Sequence, residues 1–212
     1  MNRRPLSIAA ALTGIAALLL TACGSGSDES TPDKIKGAGG DSNSPSASAS
    51  VPKNNVDRPK ITLPKSFQAD FVGWSNNDPK LQAILDDGRE RLRGDYAAII
   101  ERVPQAHYMA FYNTATALTT GEQWVKGFIS KNETITGKVS VSNPQARVSP
   151  DGSGTLFYCV DEGKSSTKNL KTAKVIHTPA DSAHVLYQTK LIKTKQGVWQ
   201  TKSITTTPGG CK

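Results

Sequence analysis

The stretch TTGEQWVKGFISKNETITGKVSVS, residues 119–142, decides the fold. In its first half Trp124, Val125, Phe128 and Ile129 recur at intervals of three and four, the spacing of one helix face. Thr119 followed three residues on by Glu122 reads as a capping box that opens this helix. In its second half the period drops to two: Ile135, Gly137, Val139 and Val141 share one side, while Thr136, Lys138, Ser140 and Ser142 share the other. Asn132, which tolerates the left-handed conformation, closes the helix between the two halves.

Working outward from that switch, the upstream sequence is helical. Asp78-Pro79 supplies an N-cap and a proline at the first helical position, and Leu81, Ile84, Leu85, Leu92, Tyr96, Ile99, Ile100 and Val103 keep the helical spacing until Pro104. Gly88 and Gly94 weaken the middle by up to ~1 kcal/mol each, so one long curved helix and two shorter ones both fit. A second helical stretch carries Tyr108, Phe111, Tyr112 and Ala115 on one face. Downstream the sequence alternates. The apolar phase slips after Asn143-Pro144 onto Ala146 and Val148, which predicts a bulge or a kink. Pro150-Asp151-Gly152 then turns the chain into the strand Thr155–Val160, and a last hairpin runs from about Ala183 to Ile192 and from Val198 to Thr206, turning at Lys195-Gln196-Gly197. Helices first and strands after predict an α+β fold, with N-terminal helices packed on one face of a curved antiparallel sheet of about four strands.

The N-terminal part has a different character. Arg3 and Arg4, the apolar run from Ile8 to Leu20 and the small residues after it have the order of a secretory signal peptide over residues 1–22. The run is too short to span a bilayer as a helix, which takes ~20 residues. Its end, Leu20-Thr21-Ala22-Cys23, resembles the bacterial lipobox, which implies that Cys23 carries the fatty acyl (palmitate) anchor; an ordinary secretory signal is the alternative. From Cys23 to Pro64 the chain is rich in serine, glycine and proline, and Gly24–Asn55 has no aromatic residue. This composition cannot bury enough surface to offset its ordering entropy and reads as a linker. The folded domain is expected over residues 65–212, outside the cytoplasm and tethered to the membrane.

The chain has three cysteines. With Cys23 committed to lipid, Cys159 and Cys211 are left as a pair in a compartment where disulfides persist, with two free thiols as the alternative. Neither has the C-x-x-C spacing of a redox site, no pair of histidines has a zinc-like spacing, and no metal or cofactor is expected.

The residues Asp78-Pro79-Lys80-Leu81, Gln123-Trp124-Val125 with Phe128, Ile135-Thr136-Gly137-Lys138-Val139, Tyr158-Cys159-Val160-Asp161-Glu162, Leu186-Tyr187 and Gly197-Val198-Trp199-Gln200-Thr201 with Cys211 resemble a family of actinobacterial lipoproteins of unassigned function. The resemblance covers about residues 65–212. It implies a nuclear-transport-factor-2-like domain, a cone of helices against a bent sheet that houses isomerases, dehydratases and polyketide cyclases as well as transport factors and accessory domains. Such a fold implies no single chemistry.

Enzymes of that superfamily place an acid, a histidine or a tyrosine inside the cone. Asp161, His184, Tyr96 and Tyr112 are the residues here that fit, although none sits in a matching motif. A solvated turn carboxylate is the preferred reading of Asp161, and a solvent-edge position that of His184. Tyr96, Tyr112, Trp124, Phe128, Tyr187 and Trp199 are candidates for lining a pocket, with plain core as the alternative. Trp124, Phe128, Tyr187 and Trp199 are expected to meet at the concave side of the sheet.

The formal charge is +8. Eight lysines and one acid, Asp181, fall between Lys164 and Lys202, half of the lysines in a loop and half on the last hairpin. Lys190, Lys193, Lys195 and Lys202 are candidates for a face toward an anionic envelope component, with a solvated, edge-protecting surface as the bland reading. Nucleic acid is excluded as a partner by export and by the lack of arginine and aromatic interleaving. The sequence therefore points to an extracytoplasmic lipoprotein acting as a non-catalytic ligand-binding or protein-interaction module. A small-molecule isomerase, dehydratase or cyclase that uses the cone is the alternative.

Overall fold

The computed structural model describes residues 56–211; the expected signal peptide, Cys23 and most of the expected linker lie outside the described residues. The order of elements is β1 (Phe67–Phe71), α1 (Pro79–Glu101), α2 (His107–Tyr112), α3 (Ala115–Ser130), β2 (Glu133–Val148), β3 (Gly154–Asn169), β4 (Val175–His177), β5 (His184–Lys193) and β6 (Trp199–Pro208). Helices pack on a curved mixed sheet, the α+β arrangement that the change of period at Asn132 implies. Asn132 itself has φ 55°.

The sheet has six strands in the order β1-β2-β3-β5-β6, with β4 paired to β3. This corrects the expectation of about four antiparallel strands. β1 adds a parallel partner to β2, Phe67 facing Gly137 and Phe71 facing Val141. With 5 and 3 residues, β1 and β4 are too short for periodicity to declare them. The long pair β2 and β3 forms the backbone of the sheet, and β2 breaks register between Ser142 and Gln145, where Asn143 takes φ 53°, as the phase slip predicts.

One continuous helix, α1, spans the sheet. Asp78 caps it by accepting the Lys80 N–H at 2.8 Å. Gly88 costs helix propensity but lets the helix approach β3, since a Cβ there would stand 2.5 Å from Leu156 Cδ2. Toward the sheet α1 buries Ile84, Leu85, Leu92 and Tyr96 against Val139, Val141, Leu156, Tyr158, Val160 and Trp199. On its other side Ala97, Ala98 and Ile99 meet Tyr108, Met109 and Tyr112 of α2 and Val125 of α3. Ile61, ahead of β1, is 5% exposed in this second core.

α3 starts earlier than the capping box at Thr119 predicts. Its N-cap is Thr114, and the Thr119 hydroxyl donates instead to the Ala115 carbonyl at 3.4 Å within the first turns. The cause is tertiary: Asn113 bridges to Thr201, and the Thr114 N–H donates to the Thr201 carbonyl at 2.9 Å, which fixes the helix start against β6. Cys159 and Cys211 are joined in a disulfide with Cα atoms 5.9 Å apart.

Candidate functional site

β3 alternates cleanly at first, with Leu156, Tyr158 and Val160 buried toward the helices. Further along it bulges: Lys138 pairs with Lys164 and Ser140 with Asp161, so Glu162 and Gly163 together oppose the single residue Val139. A bulge re-aims side chains, and this one is tied in place by three hydrogen bonds. The Glu162 N–H donates to the Ala183 carbonyl at 2.8 Å. The Gly163 N–H donates to Asp161 Oδ1 at 2.9 Å, and the Ser165 hydroxyl donates to the Glu162 carbonyl at 2.9 Å.

Held this way, Glu162 lines a cavity of about 70 Å³ together with Phe67 of β1, Tyr96 of α1, and Trp124 and Phe128 of α3. The rings stand at steep angles to one another: Trp124 and Phe128 lie 5.6 Å apart at 84°, Tyr96 and Trp124 6.5 Å apart at 58°, and Phe67 and Tyr96 4.9 Å apart at 57°. Burial pushes the Glu162 carboxyl above the ordinary carboxylate range, and the neighbouring Asp161 charge pushes the same way. Among the described residues no side chain forms a hydrogen bond or ion pair with that carboxylate. Outside the cavity, sharing Trp124, Phe128 and Thr167 with it, lies an open groove of about 340 Å³ that also touches Lys131 and Glu133. Trp124, 39% exposed, forms the wall between the two.

A second polar group lies deeper. Arg91 and Asp95, one helical turn apart on α1 and both buried, form an ion pair at 2.9 Å. Arg91 Nη2 donates to the Tyr158 hydroxyl at 3.4 Å, and Tyr158 stacks on Tyr187 across the sheet, rings 5.0 Å apart and 11° from parallel. Burial is the largest influence on Asp95 and leaves its carboxyl above the ordinary range, against the pull of Arg91 and the Asn113 amide. Burial also pushes the Tyr158 phenol up to about 12 and those of Tyr96 and Tyr187 higher, so all three stay protonated at neutral pH. Neither Arg91 nor Asp95 lines the Glu162 cavity.

Of the candidate aromatics, the structure brings together Tyr96, Trp124 and Phe128. Tyr112 is fully buried in the second core. The expectation that Trp124, Phe128, Tyr187 and Trp199 converge is corrected by strand register. Tyr187 pairs with Thr206 and Trp199 with Lys193, six residues along β5, a separation of about 20 Å at ~3.3 Å per residue. Tyr187 therefore meets Tyr158, while Trp199 meets Ile84 and Gly154.

Asp161 sits within β3 and braces the bulge, where a solvated turn was expected; β3 runs on to Asn169 because β2 and β4 pair with it there. For the same reason Lys164 and Lys168 lie on a strand, not in a loop. His184 is the exposed first residue of β5. The four hairpin lysines do not share one face: Lys190 and Lys193 are an odd number of residues apart, so the pleat sends them to opposite sides, and Lys193 Nζ lies 5.7 Å over the Trp199 ring. Lys195 is in the turn and Lys202 sits at the β6 register shift. Among the described residues no three of His, Cys, Asp and Glu gather as metal ligands. Glu162 escaped the sequence reading although its parity with Tyr158 and Val160 places it on the inner face. Arg91 and Asp95 escaped because charges on a helix read as solvent-facing.

No family model and no curated protein matches the chain. Among solved structures it is similar to the intermembrane space region of the chloroplast protein ARC6, with 9% identity and a TM-score of 0.44 over 60% of this chain and 96% of that one. It is similar also to ActVI-ORFA from Streptomyces coelicolor, with 12% identity and a TM-score of 0.42 over 61% of this chain and 97% of that one. Aln2 from another Streptomyces shows 9% identity and a TM-score of 0.44 over 63% of this chain and 94% of that one.

Proposed function

We propose that the chain is a membrane-anchored lipoprotein of the extracytoplasmic face, of the actinobacterial kind its motifs resemble, and that its domain is a non-catalytic binding module. The observation that carries the binding reading is the Glu162 cavity with the groove outside it. At about 70 Å³ the cavity is far below the ~300 Å³ at which sites for whole drug-sized ligands begin. It takes the end of a ligand or of a partner side chain, with the remainder lying in the groove past Trp124. General acid–base chemistry needs groups within hydrogen-bond reach of a common substrate atom. Among the described residues Glu162 is the single carboxylate lining the cavity, Asp95 being buried elsewhere and Asp161 engaged with Gly163. The anchor rests on Leu20-Thr21-Ala22-Cys23 following the apolar run.

Two measurements test this. Cys23→Ser should release the protein from membranes or leave an unprocessed precursor; a variant that stays processed and membrane-bound overturns the anchor. Amide hydrogen exchange on the chain in its native membranes, against the purified chain, should show added protection at residues 124–133 and 162–169. Protection absent there, or confined to other elements, overturns the binding reading.

A further inference from the structure

The chemistry of the cavity narrows what it binds, and this step rests on the binding-module reading. Its walls are the rings of Phe67, Tyr96, Trp124 and Phe128 together with Ile135, Val139 and the hydroxyl-bearing Ser165, Ser166, Thr167 and Thr178, and among its lining residues there is one carboxylate and no lysine, arginine or histidine. Aromatic faces carry negative quadrupole potential and attract cations, more strongly where water is excluded. A carboxylate at the same spot adds full charge. An anionic ligand would meet repulsion from Glu162, and a neutral polar one would find the hydroxyls but leave the carboxylate and the ring faces without a counter-charge, whereas an ammonium group pairs with the carboxylate and meets the rings. The bulge strengthens the case, because two hydrogen bonds fix the Glu162 backbone and a third holds Gly163 beside it, while the Glu162 carboxylate is left without a partner among the described residues. Glu162 is half-buried beside these rings, and a carboxylate partly withdrawn from water without a partner carries a cost that a bound cation offsets.

We propose that this cavity binds the ammonium end of an organic cation, an alkylamine or a quaternary ammonium, with Glu162 as counter-ion, Tyr96, Trp124 and Phe128 as the aromatic walls, and the ligand's remainder in the outer groove. The shared chemistry is found in free amines and in choline or ethanolamine lipid headgroups.

The test is titration of the full chain, in non-ionic detergent, with choline and with n-butylammonium, followed by tryptophan fluorescence. Trp124 is the exposed reporter, Trp74 and Trp199 being 5% and 3% exposed. At least one cation should quench saturably, and the neutral analogues 3,3-dimethyl-1-butanol and 1-pentanol should bind tenfold or more weakly. Glu162→Gln should weaken cation binding at least tenfold with its circular dichroism unchanged. Tyr96→Leu should weaken it while keeping the Trp124 reporter. Competition by phosphatidylcholine or phosphatidylethanolamine added as mixed micelles with the same detergent, and not by phosphatidylglycerol added likewise, assigns the cation to a lipid headgroup; no competition assigns it to a free amine. The proposal is overturned by neutral analogues that match the cations, by undiminished binding to Glu162→Gln, or by saturable binding of a lysine peptide with neither small cation bound. Protection of the groove in native membranes without cation binding would overturn the ligand class alone; cation binding without that protection would overturn the module's engagement there.

Discussion

The carboxylate of Asp87 accepts the backbone N–H of Trp199 at 2.8 Å, across 112 residues of sequence. Arg58 Nε donates to the same carboxylate at 3.0 Å. One side chain, 1% exposed, thus ties the segment before β1 and the start of β6 to the middle of α1. Asp87→Ala leaves a buried N–H and a guanidinium without their acceptor and is expected to cost about 2–4 kcal/mol in urea unfolding. Asp87→Asn keeps an acceptor and should lose less than half of that. An alanine variant as stable as the unaltered chain would show that the linkage contributes nothing.

The Arg91–Asp95 pair calls for a double-mutant cycle. Each ion is held in the interior by the other, so Asp95→Ala alone should cost about 3–5 kcal/mol by stranding a buried charge. Arg91→Met combined with Asp95→Leu removes both charges and should recover most of that loss. A coupling energy near zero in chemical unfolding would mean that the two side chains act independently.

The residues that are easy to read are those whose role is local. The switch at Asn132, the Asp78 cap, the turn at Gly197 and the phase slip at Asn143-Pro144 are set by neighbours within a few positions, and the structure places each where the spacing does. What stays hidden depends on distant partners. The parallel pairing of Phe67–Phe71 with β2, the start of α3 at Thr114 and the inward turn of Glu162 follow from contacts over 60 or more residues or from a bulge no motif announces. The candidate site divides in the same way. Trp124 and Phe128 share a face by helical spacing alone, whereas their meeting with Tyr96 and Glu162 needs the sheet to be assembled.

The disulfide makes a prediction of its own. Cys211 lies beyond the last strand and Cys159 in β3, 52 residues earlier, so the bond clips the C-terminal tail across the sheet. Closing a loop of this length restricts the unfolded chain by roughly 4 kcal/mol, less any native strain. Cys211→Ser should lower the urea midpoint by the equivalent of about 2–4 kcal/mol of stability, and should raise amide exchange in the second half of β6. Alkylation of the denatured, non-reduced protein should label neither Cys159 nor Cys211; labelling of both would refute the pairing.

Glu162 sets the last expectation. From its own strand Asp161 stands beside it; from α1 and β5 the groups near it are the protonated phenols of Tyr96 and Tyr187; at the rim His177 of β4 bonds Ser166 at 2.9 Å. Burial first, and Asp161 second, raise the Glu162 carboxyl in the folded chain above its value in the unfolded chain, about 4.3. Folding therefore favours its protonated form. Its contribution to stability is fully present below the unfolded value and is lost as pH rises through the folded one. At pH 7 the ionised carboxylate holds stability down, and Glu162→Gln should melt about 2 °C higher. The gap should close below pH ~4, where both chains carry a neutral group. Repeating the comparison in a His177→Gln background removes the rim imidazole from the result. If Glu162→Gln melts lower at pH 7, or if the gap does not change with pH, then a cation within the fold already pairs this carboxylate, and the strain that an arriving ammonium would relieve does not exist.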